Sequence, residues 1–186
     1  DANLTNAKFF AWYDDDHIIE INNVNLKNAN LSNLDLRGVR LQHSNLEGAN
    51  LEGTNLSNSI IRHSTFDNSN LIDVNLYNTN LSGTEFLNSD LTNANLGAPT
   101  NPHYVHVTAK SFKDSNLTNA DFSNVNLANR DFSGSNLVGA TTTMNFESIT
   151  NKNFSDVNLS GVNLENVSLV EFNFTNANLK NVNFEN

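Results

Sequence analysis

The side chains able to do chemistry fall into four groups, and none of them forms a familiar catalytic pattern. Asp14, Asp15, Asp16 and His17 make a short acidic run that offers oxygen ligands to a divalent cation. No glycine-containing ligand loop surrounds it, so it reads as a solvated bulge. His103 and His106 stand at a zinc-compatible spacing around Tyr104, but a third ligand is missing and the chain has no cysteine to supply one. His43 and His63 accompany Arg40 and Arg62; two imidazoles are again too few for a metal. Carboxylates dominate. The chain has 20 Asp and Glu against 10 Lys and Arg, a net charge of −10, and Glu47, Glu52, Asp67, Asp73, Glu85 and Asp90 lie close together in sequence. Ser, His and Asp are all present, yet no nucleophile elbow, glycine-rich phosphate loop or zinc motif brings them together. The expectation is a protein without catalytic, metal-binding or cofactor-binding residues.

What positions these groups is a repeat of five residues. From Ile21 to Leu96 every fifth residue is Leu, Ile or Phe, sixteen units without a slip. Such repetition takes precedence over other readings, because missing it miscasts the whole fold. Place three of each unit is this large apolar residue, place one is mostly Ala, Ser, Thr or Val, and place two is most often Asn. The in, out, in alternation of places one to three is that of a short strand. Places four and five are rich in Asn, Gly, Ser and Asp, which tolerate turns, so each unit is one side and one corner. This density of Asn, Ser, Thr and Gly opposes a helix. One unit cannot bury its own Leu, so coils must stack to make a core. The period alone leaves open whether three, four or five units close a coil.

The pattern A(N/D)LxN, with Leu or Phe at its centre and a small residue two before it, resembles the pentapeptide-repeat family over most of the chain. That resemblance implies an all-β fold, a right-handed quadrilateral β-helix with about twenty residues per coil. On that basis the chain is one solenoid over residues 1–186, about eight coils, interrupted near 12–18, 97–110 and 140–148. Grouping residues twenty apart puts Glu47, Asp67 and Glu85 on one side and Glu52, Asp73 and Asp90 on its neighbour. Arg40, His43, Arg62 and His63 gather on another, with the two histidines in register. Asn30, Asn50 and Asn70 fall in a column, as do Asn55, Asn75 and Asn95, where outward amides about 4.8 Å apart form hydrogen-bonded ladders. Ile72, Tyr77 and Leu87 break the polar rule at place four and Ile60 at place two, all within two coils, which suggests a contact surface. Phe112 with Phe132, and Phe154 with Phe174, are expected to stack one coil apart.

The sharpest break runs from Gly97 to Lys110 and holds both prolines, Pro99 and Pro102. Units resume at Phe112, sixteen residues after Leu96, so about ten residues are free to leave the coil as a protruding loop. We read it as a recognition loop with His103, Tyr104 and His106 as contact residues; an inert insertion is the equal alternative. Phe9 to Ile21 and Leu137 to Ile149 are each ten plus two residues, and Trp12 and Tyr13 are expected to cover the first complete coil. Open terminal coils expose core and strand edges. Since no amphipathic helix flanks the repeats and the chain opens on Asp1, it reads as a piece of a longer or processed protein.

No run of eighteen apolar residues and no signal-peptide core is present, which argues against a helical membrane span. The acidic balance disfavours direct nucleic-acid binding, which needs Lys and Arg at the phosphates. Low hydrophobicity with high charge is a mark of disorder, but the strict placement of Leu and Phe argues for a fold. Without cysteine the redox compartment is undetermined, and bacterial cytoplasm and secretion both stay open. The reading is a non-catalytic protein-binding scaffold, the interaction module of a larger or secreted bacterial protein. The resemblance supports this, since some family stretches are similar to interaction modules of secreted effectors with separate catalytic domains. The alternative is a DNA mimic, as in family members that bind gyrase or topoisomerase IV and confer quinolone resistance. Those are richer in Cys and Phe, and their C-terminal dimerising helix has no counterpart after Phe184. The expected partner is therefore a host protein or a type II topoisomerase, met by the loop, the outward apolar residues and the two acidic sides. The oligomeric state is left open.

Overall fold

The computed structural model describes residues 19–99, 109, 111–125, 130–140, 152–165 and 168–185. The five-residue rhythm is written in its backbone. Place five takes a left-handed φ between 52° and 74°, in Asn28, Gly48, Asn68 and Gly83 as in His43, His63 and Glu171. Across this corner the place-one N–H donates to the place-three carbonyl before it, as Ala29 to Leu26 at 2.9 Å and Ala94 to Leu91 at 3.0 Å. A left-handed third residue within such a bond marks a type II turn.

Four corners close a coil. Place-two residues pair in parallel twenty apart, Asn25 with Asn45, Asn50 with Asn70 and Asn75 with Asn95. The Leu26 N–H donates to the Asn45 carbonyl at 2.7 Å, and the Asn45 N–H donates back to Val24 at 3.0 Å. At the corner the Asn28 N–H reaches the Glu47 carbonyl at 2.9 Å. Backbone polar groups are thus met by the neighbouring coil rather than within a unit. The architecture is a four-sided parallel β-helix. We name its sides I to IV by their inward place-three residues. Side I carries Leu26, Leu46, Phe66, Phe86, Phe112, Phe132, Phe154 and Phe174. Side II runs from Leu31 to Leu179 and side III from Leu36 to Phe184, while side IV begins with Ile21, Leu41, Ile61 and Leu81.

The core is the file of place-three residues; the described ones from Leu31 through Leu164 are almost fully buried. Both expected phenylalanine pairs belong to one longer ladder. Phe66, Phe86, Phe112, Phe132 and Phe154 stack with ring centroids 5.2–5.6 Å apart, and Phe174 continues it in a tilted contact at 5.9 Å. Phe122 on side III meets Phe112 edge-on at 5.6 Å. Hydroxyls at place one are buried yet satisfied. Thr54, Ser69, Thr79 and Ser89 donate to the carbonyls of Leu31, Leu46, Leu56 and Phe66 in the coil before, at 2.6–2.7 Å. In the last coil Phe172, Phe174 and Leu179 are only half-buried, and Val170 and Phe184 are exposed.

Both later interruptions keep the register. Glu85 pairs with Ser111 and Asn95 with Asp121, twenty-six residues on, so the insertion adds six residues rather than about ten. The count from sequence overshoots because the coil still needs a side IV between Leu96 and Phe112. Asn136 pairs with Asn158, twenty-two residues on, as ten plus two requires.

Place five also decides which corners need glycine. Gly134 has φ +70°, and a Cβ there would collide with the Asp114 side chain, whereas at Gly161, φ +74°, nothing lies within 4 Å. Gly161→Ala is expected to cost only its left-handed strain, about 1–2 kcal/mol, and Gly134→Ala distinctly more. Urea midpoints of the two variants check the order. Phe112→Ala removes an inner ring of the ladder and is expected to cost about 3–5 kcal/mol in the same measurement.

Candidate functional site

Outward chemistry is set by places two, four and five, and each side collects those places from every coil. Side I carries a carboxylate on six successive coils: Glu47, Asp67, Glu85, Asp114, Asp131 and Asp156. The first three are those grouped from sequence. The later three escape a strict count of twenty because two insertions shift the phase; counting from each phenylalanine of the ladder finds them. Lys27 pairs with Glu47 at 2.8 Å in an exposed contact of little energetic weight. Asp67 is half-buried, and its Oδ1 accepts the Leu87 N–H at 3.0 Å. Burial pushes its carboxyl above the ordinary range, with smaller pushes from Glu85 and Glu47, while the Leu87 N–H acts the other way.

Side II holds Glu52, Asp73 and Asp90 as grouped, but knits them into the amide ladder. Asn70 Nδ2 donates to Glu52 at 3.4 Å and Asn93 Nδ2 to Asp73 at 2.9 Å. Asp90 Oδ1 accepts from the Thr92 hydroxyl at 2.6 Å and from Asn116 Nδ2 at 3.1 Å. The ladder itself is present between Asn70 and Asn50, 3.1 Å, and between Asn136 and Asn116, 3.2 Å.

Among the described residues side IV is balanced in sign, with Arg40 and Arg62 against Glu20 and Glu171. The His43 and His63 rings stack at 5.1 Å, 11° from parallel, beside Arg40 and Arg62. Its described carboxylates, Glu20 and Glu171, are both taken: Arg40 holds Glu20 at 2.6 Å and Lys152 holds Glu171 at 2.9 Å. Lys152 keeps the Glu171 carboxyl below its usual range. Sequence reasoning missed two cations at the edge of this side. Arg130 and Lys152 occupy place one on side I, at the corner shared with side IV, two residues before Phe132 and Phe154. That cation-x-Phe spacing, shared by Lys110 and Phe112, is the signal that marks them.

Ile60, Ile72, Tyr77 and Leu87 do not meet. They lie on sides IV, II, III and I respectively, because consecutive units turn onto consecutive sides. Closeness in sequence therefore does not make them one patch. Among the described residues, no group of three His, Asp or Glu is placed to hold a metal. An apolar cavity of about 160 Å³ lies within the first described coils, lined by residues including Ile21, Leu26, Leu36 and Leu51. It lacks the convergent polar groups of a ligand pocket. No helix among the described residues is long and apolar enough to cross a membrane. His103, Tyr104 and His106, the acidic run at Asp14 to His17, and Trp12 with Tyr13 lie outside the described residues.

A family model described as a pentapeptide repeat region matches residues 19–96, and one described as pentapeptide repeats matches 111–141 and 153–186. The chain belongs to the pentapeptide-repeat family. Family members of known structure adopt the right-handed quadrilateral β-helix, the fold formed here. Among solved structures, the chain is similar to the pentapeptide repeat protein Rfr23 from the cyanobacterium Cyanothece 51142. That likeness has 24% identity, covers 67% of this chain and 88% of that one, and has a TM-score of 0.39. Full-length QnrB1, a plasmid-mediated fluoroquinolone resistance protein, is 23% identical over 90% of this chain and 78% of its own, TM-score 0.36. HetL, involved in heterocyst differentiation regulation in Nostoc sp. strain PCC 7120, is 21% identical over 98% and 86%, TM-score 0.28. At these identities the likeness concerns the fold alone. No curated protein sequence matches the chain.

Within this pentapeptide-repeat rod, Asp67 gives a pH signature. Its raised carboxyl means that the folded state holds the proton more tightly than the unfolded chain. Its contribution therefore lowers stability as pH rises from about 4 through the folded value. Asp67→Asn is expected to unfold at higher urea at pH 7 than the parent, with the difference vanishing at the acid end. An identical pH dependence in the two proteins would refute the assignment.

Proposed function

We infer that the chain is a non-catalytic protein-binding scaffold, the interaction module of a larger or secreted bacterial protein, and that side I is its docking face for a basic surface. The observation that carries this reading is the carboxylate on each of six successive coils of one side. Rungs about 4.8 Å apart hold these charges in a band across places two, four and five of one side, and such a band steers a complementary surface. Asp67 sits among like charges that a partner's Lys or Arg would offset. Side II is the weaker candidate, since its grouped carboxylates span three coils rather than six; on both sides several already accept hydrogen bonds within the scaffold. His103, Tyr104 and His106 supply a second contact from the insertion.

A second reading has its own support. Sides I and II share an edge, so their carboxylates form two neighbouring rows, as a duplex offers two rows of phosphates. On that reading the partner is a type II topoisomerase and the rod competes with DNA.

Capture from host and bacterial lysates is expected to weaken about tenfold in the variant Glu47→Gln, Asp67→Asn, Glu85→Gln, and to fall with added salt. The side II variant Glu52→Gln, Asp73→Asn, Asp90→Asn is expected to keep the partner. Equal capture by the side I variant and the parent removes side I from the account. Inhibition of gyrase supercoiling by the parent, lost in both variants, favours the DNA-mimic reading instead. For the insertion, His103, Tyr104 and His106 are best replaced by Ser; deleting 99–109 would remove more than the six surplus residues.

A further inference from the structure

Arg130 stands where the repeat places a small inward side chain. In sequence, place one on side I is Val24, Ser44, Ser64 and Thr84 in the earlier coils, then the cations Lys110, Arg130 and Lys152. Arg130 Nε is buried and has no hydrogen-bond partner, the one such side-chain atom among the described residues. None of the ion pairs among those residues involves Arg130. Asp131 beside it is engaged elsewhere, its Oδ1 accepting the Ser133 N–H at 2.9 Å. A guanidinium drawn partly out of water with no counter-charge is costly, and the same loss of water strengthens any anion that reaches it. Each such orphaned donor in a folded protein calls for an explanation, an absent ion among them.

The surroundings favour an anion. Lys152 lies on the next rung, where Phe132 and Phe154 below the same edge stack at 5.6 Å. Its Nζ donates to the Val170 carbonyl at 2.8 Å and to the exposed Glu171 at 2.9 Å.

We propose that the corner at Arg130 and Lys152 binds a phosphate-type oxyanion, either free phosphate or the phosphorylated side chain of a partner protein. A phosphate has oxygens for the Nε–Nη fork of Arg130 and for the Lys152 ammonium together. A carboxylate's two oxygens are used up by the fork, and none of the chain's own carboxylates pairs with it among the described residues. The acid rows of sides I and II repel extended polyanions, so a compact group suits this corner and nucleic acid does not. The site is independent of any docking by side I.

The 186-residue chain would be titrated with inorganic phosphate, and separately with a phosphoserine peptide and its unphosphorylated form, at ionic strength held constant with chloride. Following the Arg130 Nε–H resonance together with the Asp131 and Asn153 backbone amides, which remain in every variant, is expected to show a saturable shift by NMR. Arg130→Ser installs a residue that Ser44 and Ser64 already use at this place, so it is expected to fold with an equal or higher thermal midpoint in chloride. It should lose the saturable binding, and Lys152→Gln should weaken it several-fold. Saturation by phosphate and phosphopeptide alike assigns the phosphate group itself; saturation by the phosphopeptide alone assigns a partner's phosphorylated side chain. No saturable shift with either probe overturns the proposal, as does unchanged binding by Arg130→Ser, the mark of an adventitious ion effect.

Discussion

Every feature of this rod depends on one constraint: the backbone of each coil is hydrogen-bonded by the coils before and after it, in a fixed parallel register. Leu26 N–H to Asn45, and Asn45 N–H back to Val24, are the pattern that recurs down the chain. Once that register is set, place three has nowhere to go but the axis, where Leu stacks on Leu and Phe on Phe. The hydrophobic term then rewards the same register that the backbone demands. Two insertions test the constraint. The coils that carry six and two extra residues return to the ladder with Phe112 over Phe86 and Phe154 over Phe132. The stacking of the described core continues across both insertions.

Much of this was legible in the residues alone, because one strong signal, Leu or Phe at every fifth position, fixes both the inward face and the corners. The stacked His43 and His63 and the side I trio of Glu47, Asp67 and Glu85 follow from it by counting. Counting fails where its assumption of constant coil length fails. Asp114, Asp131 and Asp156 were out of reach for that reason, and so was the continuity of the phenylalanine ladder. Ile60, Ile72, Tyr77 and Leu87 show a different limit, since proximity along a chain that turns a corner every five residues says little about proximity in space. Arg130 was hidden for a third reason. Its sequence looks like an ordinary polar exception, and only the buried, unpaired Nε shows that it breaks the rule of place one.

Surface polarity in this fold is of two kinds. The amides and many of the carboxylates belong to the scaffold: Asn Oδ1 at place two accepts the N–H two residues on, as Asn45 from Glu47 at 2.9 Å, while its Nδ2 reaches the coil alongside. Such groups hold corners and rungs together and have little left to offer a partner. Residues at place four are less committed, and it is there that Glu47, Asp67 and Arg62 differ from coil to coil. The chemistry of this rod is therefore written in the outward places of each unit, on a frame that the inward place three keeps constant.

The unequal charge of sides II and IV has a physical consequence of its own. A rod with excess carboxylates on side II, a balanced side IV and cations along the edge between sides IV and I carries an electric dipole across its width as well as a net charge. In the field of a charged surface, a torque acts about the long axis, and spinning about that axis is the fastest rotation an elongated body has. The molecule can thus roll its acidic flank forward during approach, before any contact forms, and the search for the correct side is shortened from a two-angle problem toward a one-angle problem.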